Sequence, residues 1–89
     1  MIRATIFVSG RVQGVGFRYK TNEIAKSFAV VGTVENLGDG RVKIVAEGDF
    51  EEIDRFVAAV QSSSSGKIKS IDRYDCEPSR EFVHFCITC

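Results

Sequence analysis

With 89 residues, 44% of them hydrophobic, the chain can bury one core and form one domain, and a disordered protein is excluded. Twelve basic and twelve acidic residues cancel, so there is no basic surplus for phosphate-led nucleic-acid binding, and any anion site must be local. No apolar run is long enough for a signal peptide or a membrane span, and Cys76, Cys86 and Cys89 do not read as a secreted disulfide framework, which points to the cytoplasm.

Residues 2–8 alternate, with Ile2, Ala4, Ile6 and Val8 against Arg3, Thr5 and Phe7, as in a half-buried strand. The glycine-rich stretch SGRVQGVGFRYKT follows at 9–21. Phe17, Thr21, Ile24, Ala25 and Phe28 recur at helical spacing and predict a helix over 19–29. VGTVENL at 31–37 reads as a second strand and GDG at 38–40 as a hairpin turn. In the third strand Val42, Ile44 and Ala46 alternate with Arg41, Lys43 and Val45. Asp49 and Glu52 fit a capping box, ahead of a helical stripe of Ile53, Phe56, Val57 and Val60. SSSSG at 62–66 is a loop, and KIKSIDRYDC at 67–76 is a strand whose poor alternation suggests a bulge. FVHFCIT at 82–88 is a terminal strand, with Val83, Phe85 and Ile87 expected to face inward. Neither repeats nor linkers divide the chain, so residues 1–89 are expected to be a single domain.

The order β-α-β-β-α-β with an extra C-terminal strand predicts a ferredoxin-like α+β sandwich, an antiparallel sheet with two helices on one face. The first crossover makes strands one and two parallel, with strand three between them. Their C-terminal ends then share one edge, so the glycine-rich loop leaving strand one lies opposite Asn36 near the end of strand two.

The loop admits two readings. It is a flexible connection with a surface arginine, or Gly10, Gly14 and Gly16 turn backbone N–H groups inward as an anion nest. A helix starting directly behind it adds free amides and the positive end of its dipole, and Arg18 adds a planar guanidinium fork. GxxxxGK[ST] is absent, and a dinucleotide GxGxxG would need glycine where Tyr19 stands. Asn36 has the excuse of a turn residue, yet its amide, both donor and acceptor, can hold one water in a fixed orientation. An arginine and backbone amides for a phosphate, with a side-chain amide for a water, together make a hydrolytic site.

GRVQGVGFR, followed by Thr21, and then GTVENLGDGRV resemble the acylphosphatase family, and the element order agrees over the whole chain. The resemblance implies hydrolysis of acyl phosphates to a carboxylate and inorganic phosphate, with no metal or other cofactor. It implies that Arg18 binds the phosphoryl group together with backbone amides of Gln13, Gly14, Val15, Gly16, Phe17 and Arg18, and that Asn36 positions the attacking water. The partner it implies is a small-molecule acyl phosphate, not a nucleic acid or a membrane, and a monomer is the expected state. The acyl group is left open, as is association with a carbamoyl-transfer system, where such domains also occur. Family members often carry Trp where this chain has Thr33, which bears on packing and substrate fit rather than on chemistry.

The chemistry asks little of side chains. A carboxylate leaves readily, so a general acid is not obligatory, and Glu35 should face away from Asn36 because strand side chains alternate. The phosphate itself then receives the water's proton.

Competing readings rest on single features. IFVSG at 6–10 resembles one strand of an RNA-recognition module, with Phe7 placed to stack on a base, but GRVKIVAEG supplies no aromatic for the second. Cys86 and Cys89, with or without Cys76, suggest a metal carrier, and Cys76 with Cys86 a disulfide, although strand residues three apart face opposite ways. His84 has no nucleophile partner, and SSSSGK is misplaced for a phosphate loop. Glu47, Asp49, Glu51, Glu52 and Asp54 read as charges capping a helix start, while Arg11 and Lys20 could add to local anion attraction.

Overall fold

Alternating apolar side chains put one face of each central strand in the core, and the sheet is built on that face. The structure, a computed structural model, describes residues 1–63 and 66–88; Ser64 and Ser65 of the serine loop, and Cys89, lie outside the described residues. The elements are β1 (Ile2–Arg11), α1 (Phe17–Ala25), β2 (Val30–Asn36), β3 (Val42–Gly48), α2 (Phe50–Gln61), β4 (Lys67–Cys76) and β5 (Phe85–Thr88). The sheet order is β4-β1-β3-β2-β5, the ferredoxin-like α+β arrangement with an added strand. Ala4, Ile6 and Val8 of β1, Val34 of β2, and Val42, Ile44 and Ala46 of β3 form one cluster with Phe17 and Ala25 of α1 and Ile53, Phe56 and Val60 of α2. Gly32 lies within this face because a side chain there would run into the Val45 carbonyl of the neighbouring strand.

β1 with β3, β2 with β3, and β1 with β4 are antiparallel, but β5 joins β2 in parallel, so the sheet is mixed. The cause is where β4 ends. Cys76 pairs with Arg3, at the end of the sheet remote from the glycine-rich loop, and β5 begins beside Gly32 near that same end. A chain crossing there to the opposite edge can only run alongside β2.

The crossing segment, 77–84, explains Glu47. That side chain is 1% exposed. Its carboxylate accepts the Ser79 N–H (2.9 Å), the Ser79 hydroxyl (2.8 Å) and the Arg80 N–H (2.9 Å), with Arg3 at 3.9 Å. Burial pushes the carboxyl upward, but the Ser79 and Arg80 N–H groups, the Ser79 hydroxyl and Arg3 outweigh it and hold the pKa below the ordinary 4.5. Glu47 therefore anchors the crossing segment and is no helix cap.

Other expectations shift locally. α1 starts at Phe17, two residues early, and stops at Ala25; Lys26, Ser27 and Phe28 bond three residues back and bring Phe28 to the core through tight turns. No capping box forms: Asp49 holds the N-cap position without a side-chain bond, and Glu52 instead accepts the Ala29 N–H (3.1 Å) and pairs with Arg55 (3.1 Å). Of the expected inward set on the last strand only Phe85 packs inside, with its ring 5.5 Å from that of Phe56. Val83, at 77% exposure, precedes β5, and Ile87, at 41%, sits on the sheet's outer edge. The expected bulge is present, since the β1–β4 register slips between Ser9 and Gly10 and leaves Lys69 unpaired with β1.

The face away from the helices does not suit base stacking. Phe7 lies against Tyr74, centroids 6.1 Å apart, and beneath the Arg41 guanidinium at 4.7 Å, while the crossing segment closes over Glu47. Cys76 and Cys86 sit on opposite edge strands, four strand spacings or about 19 Å apart, too far for a disulfide or a shared metal. Among the described residues no group of three His, Cys, Asp or Glu side chains could hold a metal ion, and no helix is long and apolar enough to cross a membrane.

Candidate active site

The sheet edge that ends β1 and β2 gathers the loop, the start of α1 and Asn36. Val12, 1% exposed, and Phe17, 2% exposed, plug into the core at either end of the loop. Between them the chain turns through Gly14 (φ 74°) and Gly16 (φ 79°), left-handed conformations that residues with a Cβ seldom adopt. Nothing lies within 4 Å of a Cβ built on either glycine, so the backbone angle, not space, requires them. Gly16 is the N-cap of α1 and contributes no side-chain cap. The first helical hydrogen bond is Lys20 N–H to Gly16 C=O at 3.0 Å, and the N–H groups of residues 14–19 meet no acceptor among the described residues. These are the orphan amides of a helix start joined to a turn, which together form a positive concavity.

Three contacts bring this concavity to Asn36. The Gln13 amide donates to the Leu37 carbonyl (2.8 Å) and to the Arg41 carbonyl (2.9 Å), fastening the loop to the β2–β3 hairpin one residue beyond Asn36. The hairpin is itself braced. The Asp39 carboxylate accepts from the Arg41 N–H (3.1 Å) and Nε (2.8 Å), and those bonds hold its pKa below the ordinary 3.8. From the other side Arg18 Nη1 donates to the Thr88 carbonyl at 3.3 Å, and Thr88 is the β5 partner of Glu35, the residue before Asn36. Asn36 is thus bracketed by the loop and by the residue that supports Arg18.

Asn36 has the parity of Val30 and Val34, so its side chain lies on the helix-covered face, while Glu35 pairs across to Lys43 on the other. Its Oδ1 is buried and accepts no hydrogen bond among the described residues. Arg18, half-buried, pairs with no carboxylate side chain among the described residues. The arrangement offers fixed donors for a tetrahedral anion, one guanidinium, and an amide oxygen free to accept from a further group.

Every residue expected at the site is at this edge, though Gln13 has an added role as a side-chain tether and Phe17 as a core anchor. The sequence carries no local signal for Thr88, because its place depends on the parallel docking of β5. Thr33, half-buried, faces Val45 across the strands and lies off the helix-covered face, away from Asn36. His84 contributes only its carbonyl, to the Gly32 N–H at 3.0 Å.

Comparison with known proteins identifies the family and the fold. A sequence model of the acylphosphatase family matches residues 4–87. The chain is 41% identical to the acylphosphatase of Lactiplantibacillus plantarum over 90 residues, covering 99% of each. It superposes on the crystal structure of acylphosphatase from Bacillus subtilis with a TM-score of 0.93, 38% identity and full coverage of both chains. It also matches 12% of HypF from T. kodakarensis, with all of this chain covered, a TM-score of 0.86 and 32% identity. The chain belongs to the acylphosphatase family, the hydrolases of acyl phosphates.

Proposed function

We propose that the loop amides of residues 13–18 and the Arg18 guanidinium hold the phosphoryl group, and that Asn36 orients the water that attacks phosphorus. The observation that carries this reading is the convergence of three things at one sheet edge, among the described residues: loop amides without a protein acceptor, an arginine that reaches no carboxylate side chain and a buried amide oxygen without a protein donor. The acyl phosphate dianion and water give a carboxylate, hydrogen phosphate and a proton. The P–O bond to the acyl oxygen breaks, its electrons leave on the carboxylate, and the water oxygen bonds to phosphorus.

Phosphoryl transfer passes through a loose transition state, so donors fixed around the equatorial oxygens and a water held in line supply the catalysis. The phosphoryl oxygens take the water's proton, because Glu35 lies on the other face of the sheet. Nothing in this scheme calls on a metal ion. The substrate is a small acyl phosphate, the chain acts as a single-domain monomer, and a cytoplasmic setting suits its free exposed Cys76 and Cys86.

The test is phosphate release from benzoyl phosphate in the presence of a chelator. Arg18→Ala should lower kcat/KM by about 10²–10³, the usual effect of losing one preorganised donor. Asn36→Ala should lower kcat while leaving competitive inhibition by inorganic phosphate intact, since it removes orientation rather than affinity. Unaltered kinetics in either variant would refute its assigned role.

A further inference from the structure

The chain's zero net charge hides an uneven pairing of its cations. Arg3, Lys26, Arg41, Arg55 and Arg73 all reach carboxylates. Arg11, Lys67 and Lys69 are exposed and reach none among the described residues. Lys20, Lys43 and Arg80 reach none either but stand apart, whereas these three are neighbours. Arg11 and Lys67 are direct cross-strand partners at the last register position of β1 and β4, and Lys69 is the bulge residue beside them. Like charges placed opposite one another in an antiparallel pair repel, so the sheet keeps an unfavourable pair where a neutral one would serve its stability better.

The same three residues adjoin the phosphate loop. Arg11 stands two residues before Gln13, at most about 8 Å of chain away. Gly66, just before Lys67, is pressed against the loop: a Cβ there would lie 2.9 Å from the Arg11 carbonyl oxygen and 3.4 Å from the side chains of both Val15 and Phe17. Any other residue would push the start of β4 off the loop, so Gly66 keeps Lys67 close to it.

We propose that Arg11, Lys67 and Lys69 form a second anion subsite, selecting acyl phosphates whose acyl group ends in a further negative charge. The inference rests on the reading of the loop as the phosphoryl site. Arg11 has the parity of Phe7, so it and Lys67 lie on the sheet face away from the helices, and an acyl chain leaving the phosphoryl group in the nest reaches them over the end of β1. A terminal carboxylate there relieves the repulsion between Arg11 and Lys67, and a neutral chain does not. The effect is one of differential binding, and its solvated position makes it sensitive to salt.

Two non-hydrolysable phosphonates separate this from general attraction of anions: a pentanoyl phosphonate and its counterpart with a terminal carboxylate. Calorimetry on the wild-type chain should show the carboxylate-tailed compound binding about tenfold tighter, the product of two or three partly solvated ion pairs. The double variant K67Q/K69Q should lose most of that ratio and bind the neutral-tailed phosphonate within about twofold of wild type. Equal binding of the two phosphonates by the wild type, or a variant that weakens both alike, would overturn the subsite. Turnover of the matching acyl phosphates is read separately: failure to hydrolyse either one counts against the catalytic reading, whereas the phosphonate ratio alone decides the subsite.

Discussion

Replacing Glu47 by Gln tests whether the crossing segment is held by a charge. The two side chains have nearly the same shape, but the carboxylate accepts from three donors and the amide has one oxygen. Two of the three, both from Ser79, converge on Oε2 and the third, the Arg80 N–H, reaches Oε1. Whichever way the amide turns, its NH₂ faces a donor in a site that is 1% exposed. One buried unsatisfied donor costs about 1–3 kcal/mol, and loss of the charge weakens the remaining bonds, so the total is about 2–4 kcal/mol. In a domain of this size that lowers Tm by about 10–25 °C, measurable by calorimetry at neutral pH.

The pH dependence carries a sign. Because Glu47 has its pKa lowered on folding, its ionised form contributes stability that is complete above the unfolded value near 4.5 and disappears as pH falls through the folded value. The gap between wild type and Glu47→Gln should therefore be widest above pH 4.5 and narrow below it. A variant within about 0.5 kcal/mol of wild type at neutral pH, or a gap that widens in acid, would refute the assignment of Glu47 as an ionised anchor.

Removing the loop's tether by Gln13→Ala deletes two hydrogen bonds, at a cost of about 1–3 kcal/mol. Phosphate inhibition should weaken in step, while an unchanged inhibition constant would mean the loop keeps its shape unaided. Gly16→Ala asks a residue with a Cβ to adopt φ 79°, a strain of about 1–2 kcal/mol. It should damage phosphate binding more than urea stability, and the reverse would point to a purely structural glycine. Phe56→Ala, at a side chain that is 0% exposed and touches the rings of Phe28 and Phe85, should cost about 3–5 kcal/mol in urea unfolding.

What the sequence makes legible is what local periodicity controls. The alternation of Ile2 to Val8 and of Val42 to Ala46 identifies core strands, and right-handed crossover logic then places the loop opposite Asn36. The glycine spacing marks the nest because positive φ is a local demand. Contacts set by long-range docking were not legible. Glu47 looks like any member of an acidic run until the segment at 79–80 closes over it. Thr88 supports Arg18 across 70 residues of sequence, through a parallel pairing that no nearby turn signals. Gln13 sits in the loop motif itself, yet its side-chain partners are carbonyls of a hairpin 24 and 28 residues away.

These long-range contacts share a logic that the chemistry explains. The proposed site, with one guanidinium, one amide and a row of backbone N–H groups, has no spare functional group to compensate for misplacement. Its rate depends on how well the donors are held before the substrate arrives, since donors that must reorganise lose most of their value. A nine-residue helix and a glycine-rich loop cannot supply that rigidity alone. It comes from Phe17 in the core, Gln13 on the hairpin and Arg18 on the end of β5, and β5 depends in turn on a crossing segment held by Glu47. The buried carboxylate at the far end of the sheet thus belongs to the same mechanical chain as Arg18 of the proposed site. If so, Glu47→Gln measured well below its own Tm should still raise the inhibition constant for phosphate. Inhibition identical to wild type would show instead that β5 holds Arg18 without help from the crossing segment.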